Sequence, residues 1–100
     1  MAKVTDTQTE RVRALVASIP LGRVATFGDI ARAAGLSSPR IVGWIMASDA
    51  HDLPWHRVIS ASGRPPAHLA GHQLSRLSAE GVPNTDGRVA LDRVRHTFGT

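Results

Sequence analysis

The chain of 100 residues contains no cysteine and a single lysine. No run in it approaches the roughly 20 apolar residues of a membrane span. Without cysteine there are no disulfides, no thiolate metal ligands and no thiol nucleophile, a composition that fits a reducing compartment. Met1-Ala2-Lys3 leads straight into polar sequence, so no secretory leader is expected. Internal repeats and linkers are also missing, which predicts one domain over residues 1–100. A chain this short buries roughly two thirds of its unfolded surface, enough for a single core.

What is present is basic. Twelve Lys and Arg stand against eight Asp and Glu, for a net charge of +4, and all the cations but Lys3 are arginine. This balance favours an anionic partner, nucleic acid first. An arginine-rich proteome encoded by a GC-rich genome has the same signature, so charge permits DNA binding without establishing it.

The apolar spacing predicts a mostly helical domain with short β pieces. Residues 1–6 read as a frayed start. Val12, Leu15, Val16 and Ile19 form the stripe of a helix beginning near Thr7, stopped by Pro20 and Gly22. Gly22 to Ala25 is an extended connector. Thr26 and Asp29 make a capping-box pattern for a second helix with the stripe Phe27, Ile30, Ala31 and Ala34, closed by Gly35. Ser37 or Ser38 caps a third helix, with Pro39 in its first turn, that runs to about Ser48. Two short helices joined by a Gly-containing turn outline a helix-turn-helix. After a loop at Ala50-His51-Asp52, Val58-Ile59 ends a short extended piece. Ser60 to Gly71 reads as an ordered surface loop, and His72 to Glu80 as a helix stopped by Gly81. Asp86-Gly87 is the strongest two-residue hairpin signal in the chain. The last nine residues give only weak signals.

Several residues have the chemistry for base extrusion, which needs a pocket, a side chain to fill the gap and a grip on the backbone. Arg40, just after Pro39, is placed to enter a groove and occupy the space of an extruded nucleotide, beside a helix N-terminus that favours phosphate. The alternative is a solvated surface arginine. Phe27 is either a core residue or a groove-facing aromatic. His56 and Glu80 are a candidate polar pair; with no nucleophile to activate, a structural hydrogen bond under the pocket is the preferred reading. Trp55 is either core or an aromatic wall for a flipped base, where stacking is worth about 1–3 kcal/mol. The histidines His51, His56, His68, His72 and His96 include one i, i+4 pair but no acidic or thiolate partner at ligand spacing, so neither metal nor other cofactor is expected.

Together these segments resemble the C-terminal domain of O6-alkylguanine-DNA alkyltransferases, and more closely the alkyltransferase-like proteins, in which Trp commonly replaces the acceptor Cys. The resemblance covers about Val12 to Val82. Pro54-Trp55-His56-Arg57-Val58 is its most specific part, with Trp55 in the acceptor position. Gly22 to Ala31 matches the lead into the helix-turn-helix, Pro39-Arg40-Ile41-Val42-Gly43 the arginine-finger helix, and Ala79-Glu80-Gly81 the carboxylate that pairs with histidine. The resemblance implies a winged helix-turn-helix-like domain that binds O6-alkylguanine in duplex DNA from the minor groove. It implies that Phe27, Pro39, Arg40 and Gly43 contact DNA, with Arg40 as the finger. Trp55, Val58 and Arg64 would form the lesion pocket, supported by His56, Arg57 and Glu80. It further implies lesion marking without alkyl transfer, a hand-over to nucleotide excision repair proteins, and no membrane. The domain would act as a monomer in the cytoplasm, at the nucleoid in a bacterium. Phe27 departs from the family's tyrosine, Ile41 and Trp44 are bulkier than the usual residues, and Ala67 stands where the transferases have serine.

Two rivals follow from the same residues. A plain helix-turn-helix regulator would read undamaged DNA in the major groove, usually as a dimer, and no dimerisation helix is evident. A hydrolase built on His56 and Glu80 would lack both nucleophile and metal.

Overall fold

The computed structural model describes residues 4–99. Helix α1 (Asp6–Ala17) starts earlier than the stripe alone predicts. The expectation of a frayed start at residues 4–6 is corrected: Thr5 caps the helix through a reciprocal capping box with Gln8, at 3.1 and 3.0 Å. The Thr5-x-x-Gln8 spacing is the legible signal for that start. Residues 1–3 of the expected frayed start, and the Met1-Ala2-Lys3 leader argument, fall outside the described residues.

Strand β1 (Ala25–Thr26) runs directly into α2 (Phe27–Ala34), because Thr26 is both the last extended residue and the N-cap. Asp29 N donates to Thr26 Oγ1 at 3.0 Å, and Asp29 Oδ2 accepts from Thr26 N at 3.1 Å. Gly35 takes φ +73, the left-handed cap that a Cβ disfavours. Ser38, rather than Ser37, caps α3 (Pro39–Ser48) by accepting from Arg40 N. Helices α1, α2 and α3 pack around Val12, Val16, Ile19, Ile30, Ala31, Val42 and Ile45. The fold is therefore of the helix-turn-helix type.

A single 3-10 turn (Trp55–Arg57) leads into β2 (Val58–Ile59), which pairs in parallel with β1 in the register Ala25↔Val58 and Thr26↔Ile59. Successive strand residues face opposite ways. Ala25 and Val58 thus join the helical core, while Val24 and Ile59 join a second cluster with Leu77, Val82 and Val89.

Helix α4 (Ala70–Ala79) begins two residues before the predicted His72, so Gly71 is helical rather than part of the loop. The chain enters it through a turn, with Leu69 N on the Pro66 carbonyl, and no side chain caps it, which is why the start was not legible. Strands β3 (Asn84–Thr85) and β4 (Arg88–Val89) form the expected hairpin. Asp86 and Gly87 take φ +51 and +80, the positive pair of a type I′ turn. This hairpin occupies the place of a wing, and Val89 N donates to the Gly63 carbonyl at 2.8 Å. The weak-signal tail holds a short α5 (Leu91–Val94) and a parallel bridge from Arg95 to Val24.

Candidate functional site

The Pro54-Trp55-His56-Arg57 segment is fastened by two side chains of α4 and its C-cap, Gln73 and Glu80, and by a carbonyl just beyond α1. Glu80, at the end of α4, accepts from Arg57 Nε at 2.8 Å and Nη2 at 2.9 Å. The same carboxylate lies 2.7 Å from His56 Nε2. Arg57 Nη1 donates to the Ile19 carbonyl just beyond α1 at 2.9 Å. Arg57 foremost, and His56 after it, outweigh burial and hold the Glu80 carboxyl down to about 2. A carboxylate held ionised only accepts, so the hydrogen between it and His56 is carried by Nε2. The His56 Nδ1 is buried and has no hydrogen-bond partner among the described residues. His56, Arg57 and Glu80 are thus brought together, as a structural network.

Gln73 was not foreseen. It lies on the buried face of α4, 2% exposed, and its Nε2 donates to the carbonyls of His56 (3.0 Å) and Val58 (2.8 Å). Two carbonyls beside the cleft are satisfied this way. The legible clue was a polar residue within the Leu69, Leu74, Leu77 stripe.

Above this support opens a cleft of about 430 Å³, within the range of roughly 300–1,000 Å³ usual for ligand sites. Phe27, Gly43, Trp55 and Val58 line it, with Met46 and Leu69 adding apolar surface. His51, His68 and Gln73 are its polar members, and among the described residues no carboxylate lines it. Phe27 packs on the helical core and also lines the cleft. Val58 does likewise, with only 2% of its surface exposed. Trp55 meets the His56 ring edge-on at 6.1 Å. The Arg76 guanidinium, from α4, lies 5.5 Å from the centroid of the Trp55 ring, a cation–π arrangement that the sequence did not suggest.

Arg40 is exposed at the N-terminal end of α3. It lines an open apolar depression with Phe27, Gly28, Pro39, Gly43 and Ser60. Phe27 and Gly43 belong to both the depression and the cleft, so the face of α3 that bears Arg40 and the Trp55 cleft are continuous. A Cβ added at Gly43 would meet nothing within 4 Å, so the backbone of α3 is approachable there. Trp44, 43% exposed, lies one turn after Arg40 on the same helix.

Arg64, expected in the lesion pocket, does not line the cleft. Its Nη1 donates to the Asp86 carbonyl at 3.0 Å, and it lines a separate groove with Arg88 and Arg95 against the hairpin. The hydrogen bond from Val89 N to the Gly63 carbonyl holds this part of the loop against the hairpin.

Residues 7–82 match the family model for the 6-O-methylguanine DNA methyltransferase, DNA binding domain. A DNA base-flipping protein of Escherichia coli (strain K12) is 39% identical over 103 residues, which cover 93% of this chain and 77% of that protein. The structure of Schizosaccharomyces pombe Atl1 in complex with damaged DNA containing O6-carboxymethylguanine is similar with a TM-score of 0.79 at 31% identity, over 96% of this chain and 100% of that one. An O6-methylguanine methyltransferase of Mycobacterium tuberculosis gives 0.64 at 31% identity, over 78% of this chain and 50% of that longer one.

Proposed function

Because the chain belongs to the family of the 6-O-methylguanine DNA methyltransferase DNA-binding domain, we propose that it recognises O6-alkylguanine in duplex DNA and holds the lesion without repairing it. In this reading α3 enters the minor groove and Arg40 fills the stack left by the extruded nucleotide. Phe27, Pro39 and Gly43 carry the surrounding backbone contact. The extruded base packs against Trp55 and Val58, while His56, Arg57 and Glu80 hold that wall in place. Arg64 serves the DNA path outside the cleft.

The observation that carries the reading is the residue at the acceptor position. Trp55 lines an open, mostly apolar cleft contiguous with the face of α3. An indole offers a stacking surface but no nucleophile that could accept an alkyl group, and the chain has no cysteine elsewhere. His56 has a basic nitrogen but no thiol to deprotonate. Recognition without transfer calls for a downstream activity, for which nucleotide excision repair proteins are the proposed partners. A single copy of the chain suffices for the geometry, and the cytoplasm or nucleoid is the proposed location.

The test is titration of the protein with a duplex bearing one O6-methylguanine and with the same duplex bearing guanine, followed by recovery of the DNA. The expected result is a lesion preference of at least about tenfold, about 1.4 kcal/mol, with the methyl group still on DNA. Equal affinities would sink lesion recognition. A demethylated duplex would sink the non-enzymatic part.

A further inference from the structure

The chemistry of the cleft rim narrows the kind of O6 substituent it suits. Among the described residues no Asp or Glu lines the cleft, whereas His51 and His68 do, from the loops on either side of the Trp55 segment. Each imidazole offers an N–H donor in either charge state. Arg76 brings a full positive charge to the ring that walls the cleft, with Cζ 5.5 Å from the Trp55 centroid. Among the described residues, Arg76 forms none of the ion pairs that occupy Arg13, Arg32, Arg57 and Arg95. The nearby carboxylate Asp52 is taken by Arg13, at 2.6 and 3.0 Å, so it does not offset the charge at the rim. Glu80 is likewise held by Arg57 and His56 beneath the cleft. The result is an apolar interior whose polar members, His51, His68 and Gln73, can each donate a hydrogen bond, walled by a ring that has a cation over it.

We propose that this cleft favours O6 substituents that end in an anion, a carboxylate in particular, over neutral substituents of the same size. The proposal rests on the lesion-recognition reading above and specifies its ligand class. Short apolar alkyl groups still enter, because Trp55, Phe27 and Met46 accept them. A terminal carboxylate gains in addition a donor from His51 or His68 and the field of Arg76. A neutral amide of the same shape gains the hydrogen bond without the charge term.

The experiment compares four duplexes that differ at one base: O6-carboxymethylguanine, its neutral isostere O6-carbamoylmethylguanine, O6-methylguanine and guanine. The expected result is that the carboxymethyl duplex binds about twofold to fivefold more tightly than the carbamoylmethyl duplex, the range of an exposed ion pair. In Arg76→Gln or His68→Ala that ratio should fall toward one in at least one case, while Arg76→Lys should keep most of it. Both positions are exposed, and far-UV circular dichroism with a melting curve verifies the fold of each variant. Equal or tighter binding of the neutral isostere by the unaltered protein would overturn the proposal. So would a ratio unchanged in both variants. If all modified duplexes bind like guanine, it is the lesion-recognition reading that fails. If methylated DNA is preferred to guanine but charge makes no difference, only the present proposal fails.

Discussion

Glu80 ties two consecutive residues of the Trp55 segment, His56 and Arg57, to the end of α4. Its two oxygens receive three hydrogen bonds, from Arg57 and His56, and neither partner has another carboxylate within ion-pair range among the described residues. Glu80→Gln removes the charge and leaves a part-buried guanidinium against a neutral amide, a loss of about 2–3 kcal/mol at neutral pH. The pH dependence has a definite sign. The folded carboxyl sits near 2, below its ordinary 4.5. Its stabilisation is therefore fully present above about 4.5 and is lost as the pH falls through about 2. Urea unfolding of both proteins from pH 7 to pH 2 checks this: the gap should be widest above pH 4.5 and close toward pH 2. A gap independent of pH would contradict the assignment. Gln73→Leu is a companion case, since it strips the donor from two buried carbonyls while preserving volume. It should cost about 2 kcal/mol, read as a lowered urea midpoint.

At this scale the sequence was legible where chemistry is local. Thr26, Asp29, Gly35 and Asp86-Gly87 have the structures their spacing predicts, because capping and turn geometry are settled within three or four residues. Arg76 over Trp55, and Gln73 under His56, join residues 21 and 17 positions apart through α4, and no periodicity encodes which long side chain reaches which ring. Arg64 was misplaced for a related reason: its position depends on how the loop is drawn to the hairpin.

Among the elements, α3 and the hairpin have separable roles. In the proposed reading, Arg40→Ala should weaken binding to lesion and plain duplex alike, measured by titration of both duplexes, since it removes the side chain that fills the stack. Selective loss of lesion preference in that variant would refute its role as the finger. The hairpin depends on a close approach. A Cβ at Gly63, already at φ +80, would stand 2.6 Å from the Val89 carbonyl oxygen. Gly63→Ala should therefore cost about 2–3 kcal/mol, from overpacking and left-handed strain together. Amide exchange at Val89 should accelerate selectively, because its partner is the Gly63 carbonyl. Asp29 ties the tail to α2: it caps the helix through Thr26 and receives Arg95 at 2.9 and 2.7 Å. Burial alone would raise its pKa, but the bonds from Arg95 and Thr26 outweigh that and hold it below the usual carboxylate range.

Over the whole molecule, the family match ends at residue 82, yet the packing does not. Val89 is fully part of the second cluster, Leu91 and Val94 pack against it, and Val24 N and O both bond to the tail at 2.9 and 2.7 Å. The weak signals after Leu91 concealed this, since a four-residue helix and a single bridge leave little pattern. Truncation after Val82 should uncover Val24, Ile59 and Leu77 and broaden or abolish the cooperative unfolding transition, measured by thermal circular dichroism. A truncated chain that melts as sharply and at the same temperature would show the tail to be dispensable.

The way the Trp55 segment is fastened also sets an order of events. Helices α1, α2 and α3 find one another within the first half of the chain, whereas the anchors of residues 55–58 are Ile19, Gln73 and Glu80. Long loops must close before those anchors engage, which makes their formation the slower step. During synthesis α3 therefore takes shape before the cleft beside it. Pulse-labelled hydrogen exchange during refolding should protect the amides of α1 and α2 before that of Val58. A chain caught between those moments holds the three packed helices without the wall that Trp55 gives the cleft.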